Sequence, residues 1–372
     1  KRRRGFAAWG LALALVALVL TGGLLYADHY LTGKMTTDDD FDSLSASDLH
    51  QTATEADGRL EREERFSEAL SGLEEQLADL PSFTEVDRYL LSNNDIPPEA
   101  LAKLDTGKAP RSSYLSSDAS KIQVFVLFGL DGVDSSDSVM LVALDRVHQK
   151  IKLISLARDS YVFIPEFASF SKLAYSYTWG GAAMAVKNLN YNYYLNVSDY
   201  IAVDFDQLAE IIDRIGGVTV NIDEDEARYL SNYPNVRVGD CLLDGETAVS
   251  YARIRKSSAT DSDRKRTGRQ REVILSILNT LQTMPLSQYP GFVRDCLGMC
   301  ATSFEAETLL TMAAETLGQN YTVEQYFFPE GQVDWWAGLI KEYFYYVYDL
   351  RRASDRIYRI IYEELYISGY DD

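Results

Sequence analysis

The chain has 372 residues, 46% of them hydrophobic, which is ample for a buried core. Its 56 acidic and 36 basic residues leave a net charge of −20, which argues against nucleic acid as the partner because a phosphate backbone needs a basic face. His29, His50 and His148 lie away from the acidic and arginine-rich segments that follow, so Ser-His-Asp chemistry is not expected. The three cysteines lack a zinc spacing.

From the start of the chain, Lys1-Arg-Arg-Arg4 precedes residues 5–26, an apolar stretch without a charge. It reads as a transmembrane signal anchor, with residues 1–4 as a cytoplasmic flank and the body extracytoplasmic. A cleavable signal peptide is the competing reading, and the length of the apolar run weighs against it. Residues 27–120 read as an acidic spacer. Within it, residues 55–80 have helix-spaced apolar positions and form an amphipathic helix ending at Pro81. Pro97-Pro98 and residues 108–117 read as irregular linker.

Three short apolar runs follow, at residues 124–130, 139–144 and 151–156, each bounded by Gly, Asp or basic residues and read as strands. Tyr161–Ile164 is a further strand, and a helix should extend to about Tyr194. Residues 200–203 are a strand, and Asp204 caps a helix over 205–215 that Gly216-Gly217 ends. Val218–Ile222 is a strand, and Asp244 caps a helix containing residues 247–251. Together these alternating elements make an α/β body.

The chemistry sits between them. An acidic loop with Asp131, Asp134 and Asp137 follows the first run, and Arg158-Asp159 follows the third. Carboxylates suit a hard cation and a guanidinium fork suits phosphate. Arg253, Arg255, Lys256, Arg264, Lys265, Arg266, Arg269 and Arg271 form the one basic island of an acidic chain. Arg266 and Arg269, one turn apart on a helix running to Gln282, share a face, and Asp263 is placed to cap that helix. Tyr175, Tyr177 and Trp179 are candidates to line a lipid or glycan groove. Residues 284–372 read as a helical, aromatic-rich extension that packs on the body, with helices at 304–317 and about 356–366. Cys241 is expected to pair with Cys296 or Cys300.

The ordered blocks GLDG…SSDSVMLVALD, KLISLARDSYVFIP, KLAYSYTWGG, YIAVDFDQLAEIIDRIGGVTVNI, LDGETAVSYARIR and DSDRKRTGRQREVI resemble the LytR–CpsA–Psr family over roughly residues 121–281. That resemblance implies an α/β/α sandwich with a mostly β-sheet core and a pocket for a prenyl tail. It implies a membrane-anchored phosphotransferase of a Gram-positive envelope, moving a teichoic acid, capsule or related glycopolymer from a polyprenyl-pyrophosphate carrier to peptidoglycan. Position by position, it implies that Asp131 and Asp137 hold Mg2+ and that Arg158 and Asp159 are catalytic. Lys172, Arg253, Arg255, Asp263, Arg266, Arg269 and Gln270 would bind substrate. The family has an arginine where this chain has Ser135. The alternatives are a non-catalytic polyprenyl-pyrophosphate-binding regulator, which Ser135 favours, and an envelope scaffold.

Overall fold

The computed structural model describes residues 86–107, 111–131, 136–255, 259–282, 299–304, 308–309, 311–312, 315, 321–329, 331 and 333–368. The anchor expected at 5–26 and the helix expected at 55–80 lie outside these residues. Among the described residues no helix is long and apolar enough to cross a membrane.

Residues 86–107, expected as part of the acidic spacer, belong to the body instead. Val86, Leu90 and Leu91 are buried, and Pro98–Leu101 (α1) makes one turn that its proline starts. Arg111–Leu115 (β1) is also ordered rather than irregular. The three expected runs are the strands Ile122–Leu130 (β2), Ser136–Asp145 (β3) and Lys150–Leu156 (β4). Tyr161–Ile164 (β5) and Ser169–Lys172 (β6) form a hairpin leading into Leu173–Tyr193 (α2). This helix breaks at Gly180-Gly181, where Gly181 has φ +62°, a backbone angle that side chains rarely tolerate.

Asp199–Asp204 (β7) ends in the residue that caps Phe205–Arg214 (α3), with the Asp204 carboxylate accepting from the Gln207 amide at 2.7 Å. Gly216 and Gly217, both at positive φ, stop the helix as expected. Val218–Ile222 (β8) leads to Glu224–Tyr229 (α4), capped by Asp223, and Gly239–Leu243 (β9) returns to pair with β8. Asp244 caps Gly245–Ala252 (α5). A Cβ at Gly245 would lie 2.0 Å from the Ala209 carbonyl oxygen, so a glycine is what lets α5 cross α3 this closely. Ala259–Gln282 (α6) follows. Asp263 therefore lies inside α6, not at its cap, because the helix starts before it.

The end of the chain departs most from expectation. Ala301–Thr302 (β10) and Thr322–Phe328 (β11) are strands of the main sheet rather than parts of an appended extension. The aromatic run is a hairpin of Trp335–Ile340 (β12) and Tyr343–Tyr348 (β13), not a helix. Leu350–Tyr362 (α7) begins earlier than the expected terminal helix, and Tyr366–Ser368 (β14) pairs with β1. Cys241 and Cys300 are both buried thiols, so the expected pairing of Cys241 is not formed; Cys296 lies outside the described residues.

The central sheet runs β10-β7-β2-β3-β4-β11, with β2/β7 and β4/β11 parallel and the other pairs antiparallel. Period-two alternation sends Phe125, Met140, Val142 and Leu153 to one face, under α3, α5 and α6. It sends Val126, Val139, Leu141 and Ile154 to the other, under α2 and α7. The result is the expected α/β/α sandwich, with a mixed sheet buried on both faces.

A charge network ties the far end of the sheet to the end of α7. Asp145, His148 and Glu363 are close enough together to hold a cation. Here, however, the ammonium of Lys152 sits on both carboxylates and that of Lys150 on Glu363. His148 bridges Asp145 Oδ2 at 2.6 Å and Glu364 Oε1 at 2.7 Å. Burial opposes its charge, but hydrogen bonds to Asp145 and Glu364 and the charges of Asp145 and Glu363 outweigh it, so its pKa is raised. A raised folded pKa gives stability that is complete below the unfolded value, about 6.5, and lost as pH rises through the folded value. The stability advantage over His148→Gln should therefore shrink in urea melts taken from about pH 6 to about pH 8.5. An advantage that grows with pH would contradict this reading.

Candidate functional site

Strand register builds the site. Val139 of β3 pairs with Leu156 of β4, so continuing the antiparallel ladder brings Arg158 beside Asp137. The Arg158 guanidinium donates to Asp137 Oδ1. Arg255 Nη2, from the segment after α5, lies 3.7 Å from the same oxygen, and Arg266 Nη1, from α6, lies 4.0 Å away. Asp137 is only 5% exposed and Arg266 2%. Three guanidiniums converging on one sheltered carboxylate form a locus that attracts anions and matches phosphate oxygens.

Asp137, Arg158 and Arg255 open onto a cleft of about 780 Å³ that Asp131 and Arg253 also line, with Arg266 buried behind Asp137. Arg253 caps the C-terminus of α5, and its guanidinium lies 4.9 Å over the Phe205 ring. Behind the cleft is an apolar cavity of about 110 Å³, lined by residues that include Gly129, Ser138, Phe205, Ala252, Gln270 and Ile274. Chain neighbours divide between the two spaces. Ser138 faces the cavity and Asp137 the cleft, Ala252 the cavity and Arg253 the cleft, Gly129 the cavity and Asp131 the cleft. At Asp137/Ser138 strand alternation separates the apolar hole from the charged cleft, and at Ala252/Arg253 the end of α5 does.

Not every predicted residue converges here. Gln270 lines the apolar cavity instead, where its amide nitrogen and oxygen are buried without a hydrogen-bond partner among the described residues. Arg269 turns away: its Nε donates to Glu226 Oε1 at 2.7 Å and its Nη1 to the Ile254 carbonyl at 3.1 Å. The three-residue offset from Arg266 is 300° around a helix, enough to send the two guanidiniums to different neighbours. Lys172 pairs with Asp159 at 2.6 Å, and Arg158 Nε lies 3.8 Å from the other Asp159 oxygen. Three tyrosine rings, of Tyr175, Tyr343 and Tyr345, surround the Lys172 ammonium at 5.4–5.9 Å. The side chain of Asp263, and Asp134 and Ser135 altogether, lie outside the described residues. Tyr175 and Trp179 stack with ring centroids 5.2 Å apart beside Tyr89, whereas Tyr177 packs on Phe128 in the core.

Sequence reading missed the part of the cleft lining made by Tyr229, Asn232 and Tyr233 from α4 and the turn after it. No local composition marks these residues. They share the cleft with the arginines only because β8 and β9 place α4 there and Glu226 ties it to Arg269.

The donor set of the cleft fits a hard cation. Asp131 Oδ1 is buried with no hydrogen-bond partner among the described residues, and Asp131 and Asp137 line the same space.

A teichoic acid transferase TagU of Enterococcus faecalis is 29% identical over 166 residues, covering 43% of this chain and 54% of the relative. The regulatory protein MsrR of Staphylococcus aureus is 30% identical over 184 residues, covering 47% of this chain and 54% of the relative. The chain thus spans about half the length of these curated relatives. Among solved structures, a transcriptional regulator of Enterococcus faecalis superposes with a TM-score of 0.54 at 23% identity, covering 66% of this chain and 90% of that one. A family protein, YwtF (TagT), with bound octaprenyl pyrophosphate lipid superposes with a TM-score of 0.51 at 17% identity, covering 70% of this chain and 98% of that one. The shared fold, together with a family model that matches residues 100–357, shows that this chain belongs to the LytR_cpsA_psr family.

Proposed function

We propose that this chain is a phosphotransferase that moves a glycopolymer from a polyprenyl-pyrophosphate carrier to peptidoglycan. The glycopolymer would be a teichoic acid, a capsule or a related polysaccharide. Residues 5–26 would tether the body to the outer face of the cytoplasmic membrane. One observation carries the reading: an apolar cavity and an arginine-lined cleft meet at Gly129/Asp131, Asp137/Ser138 and Ala252/Arg253. A ligand with an isoprenoid tail, a pyrophosphate and a polar head fits that order. The printed name of the TagU relative and the lipid bound to YwtF (TagT) support the same reading.

In this mechanism Arg158, Arg253, Arg255 and Arg266 grip the pyrophosphate, and the prenyl unit next to it enters the cavity. The acceptor hydroxyl attacks the phosphorus that carries the glycan. Its new O–P bond forms as the bond from that phosphorus to the bridging oxygen breaks. Asp159 takes the hydroxyl proton, and Lys172 holds that carboxylate in place. The bridging oxygen keeps the bonding electrons and leaves on polyprenyl phosphate, with the guanidiniums matching its charge. Asp131 and Asp137 would hold Mg2+, which when bound supplies charge screening for the pyrophosphate.

The test incubates the full chain in detergent with a synthetic polyprenyl-pyrophosphate oligosaccharide and peptidoglycan fragments, with magnesium or with EDTA, and detects products by mass spectrometry. Magnesium-dependent joining that Asp137→Ala abolishes is the expected outcome. Lipid retained without joining would replace this reading with that of a lipid-binding regulator, and neither joining nor retention would remove both.

A further inference from the structure

We infer that Tyr229, Asn232 and Tyr233 form a sugar subsite that holds the first pyranose attached to the pyrophosphate. The inference rests on the carrier-lipid reading above and extends it to the part of the cleft lining that α4 and its turn supply. If the prenyl end enters the cavity behind Asp137 and Ala252, the group on the other phosphate must point out into the 780 Å³ cleft. In a polyprenyl-pyrophosphate glycan that group is a sugar ring.

This wall has the chemistry to meet one. Tyr229 is 57% exposed and lines the cleft, so its ring is open to a ligand there. The C–H face of a pyranose stacks on such a ring. Asn232, exposed three residues on, offers an amide donor and acceptor for ring hydroxyls or an acetamido group. Tyr233 is half-buried, and its hydroxyl is fixed 2.6 Å from Ser250 Oγ of α5, which holds its ring against the cleft floor. A stacking ring, an amide and a fixed hydroxyl beside a guanidinium cluster match a neutral, hydroxyl-rich group joined to a phosphate.

The wall is also anchored to the arginine helix. Glu226 of α4 closes a capping box with Asp223 through Oε2 at 2.9 Å, and its Oε1 accepts from Arg269 of α6 at 2.7 Å. Arg269 is thus a positioning residue for the sugar wall, while Arg266 on the same helix faces the pyrophosphate. One helix sets the distance between the two subsites.

Binding of paired lipids to the full chain in detergent tests this. One lipid is octaprenyl pyrophosphate, and the others are octaprenyl-pyrophosphoryl hexose and octaprenyl-pyrophosphoryl N-acetylhexosamine. The unaltered protein should bind at least one sugar-bearing lipid more tightly than the sugar-free one. Tyr229→Ala and Asn232→Ala should each weaken the sugar-bearing lipid roughly tenfold, the scale of one lost aromatic or polar contact, and leave the sugar-free lipid unchanged. Tyr229→Phe, which keeps the stacking face, should stay within about twofold of the unaltered protein. Equal affinity for all three lipids, or variants that weaken all three alike, would overturn the subsite while leaving the carrier-lipid reading intact. No binding of octaprenyl pyrophosphate itself would overturn the carrier-lipid reading and the subsite with it.

Discussion

Arg158→Ala is expected to lower glycopolymer transfer by about two to three orders of magnitude, the scale seen when one donor is removed from a developing negative charge. Arg158 is the only group that meets both carboxylates, Asp137 and Asp159, among the described residues. Its loss removes a phosphate donor and leaves Asp137, 5% exposed, with Arg255 and Arg266 at 3.7 and 4.0 Å as its remaining guanidiniums. Arg158→Lys should recover little, because an ammonium cannot present two parallel N–H groups to one phosphate while facing both aspartates. The measurement is the initial rate of joined product by mass spectrometry, with circular dichroism to show that each variant is folded. A folded Arg158→Ala protein within about threefold of the unaltered rate would remove Arg158 from the catalytic set.

Lys152→Met should destabilise the protein by about 3–5 kcal/mol, because it strips the partner from a buried charge. Lys152 and Asp145 are both fully buried at the far end of the central sheet. The Lys152 ammonium donates to Asp145 Oδ2 at 2.7 Å and to the Ile361 carbonyl at 2.8 Å, and lies 2.9 Å from Glu363. Burial works against the Asp145 carboxylate, yet the Lys152 hydrogen bond and the turn amide of His148 prevail and hold its pKa below the usual range. Methionine fills the stem volume but gives that carboxylate nothing. Adding Asp145→Asn, which keeps an acceptor for the amides of Val147 and His148, should recover much of the loss by removing the stranded charge. Urea unfolding of the two single variants and the double variant forms the cycle. Additive single losses would show that Lys152 and Asp145 do not act as a pair.

How much of this was legible in the amino acids depends on the range over which each cue acts. The strands β2, β3 and β4 could be read because each run and its boundary lie within a few residues. The caps Asp204 and Asp244 could be read because a cap binds an amide three residues away. The aromatic end could not: in Tyr343–Tyr348 nearly every side chain is a ring, so neither a two- nor a three-to-four-residue period stands out. It became a hairpin because its rings close on Tyr161, Phe170 and Lys172, far away in the chain. The acidic loop and Arg158 were found by residue type, and register then joined them. Arg269 was assigned by the family block and by its one-turn spacing from Arg266, and a partner 43 residues away redirected it. Tyr229 and Asn232 have no local signature, since their role comes from which wall they stand on.

The small size of the apolar cavity has a dynamic consequence. At about 110 Å³ it is smaller than the roughly 150 Å³ engineered hole known to take up a benzene molecule, and a long isoprenoid chain needs far more room. On the carrier-lipid reading, a tail longer than its first units would enter only if the elements bearing Phe205, Ile274 and Ile277 drew apart. Under that reading, the apparent affinity for a carrier lipid would be scaled by the fraction of molecules in which those elements have parted. Tail length would then set how far the helices must part, a variable separate from the charge that the arginines read.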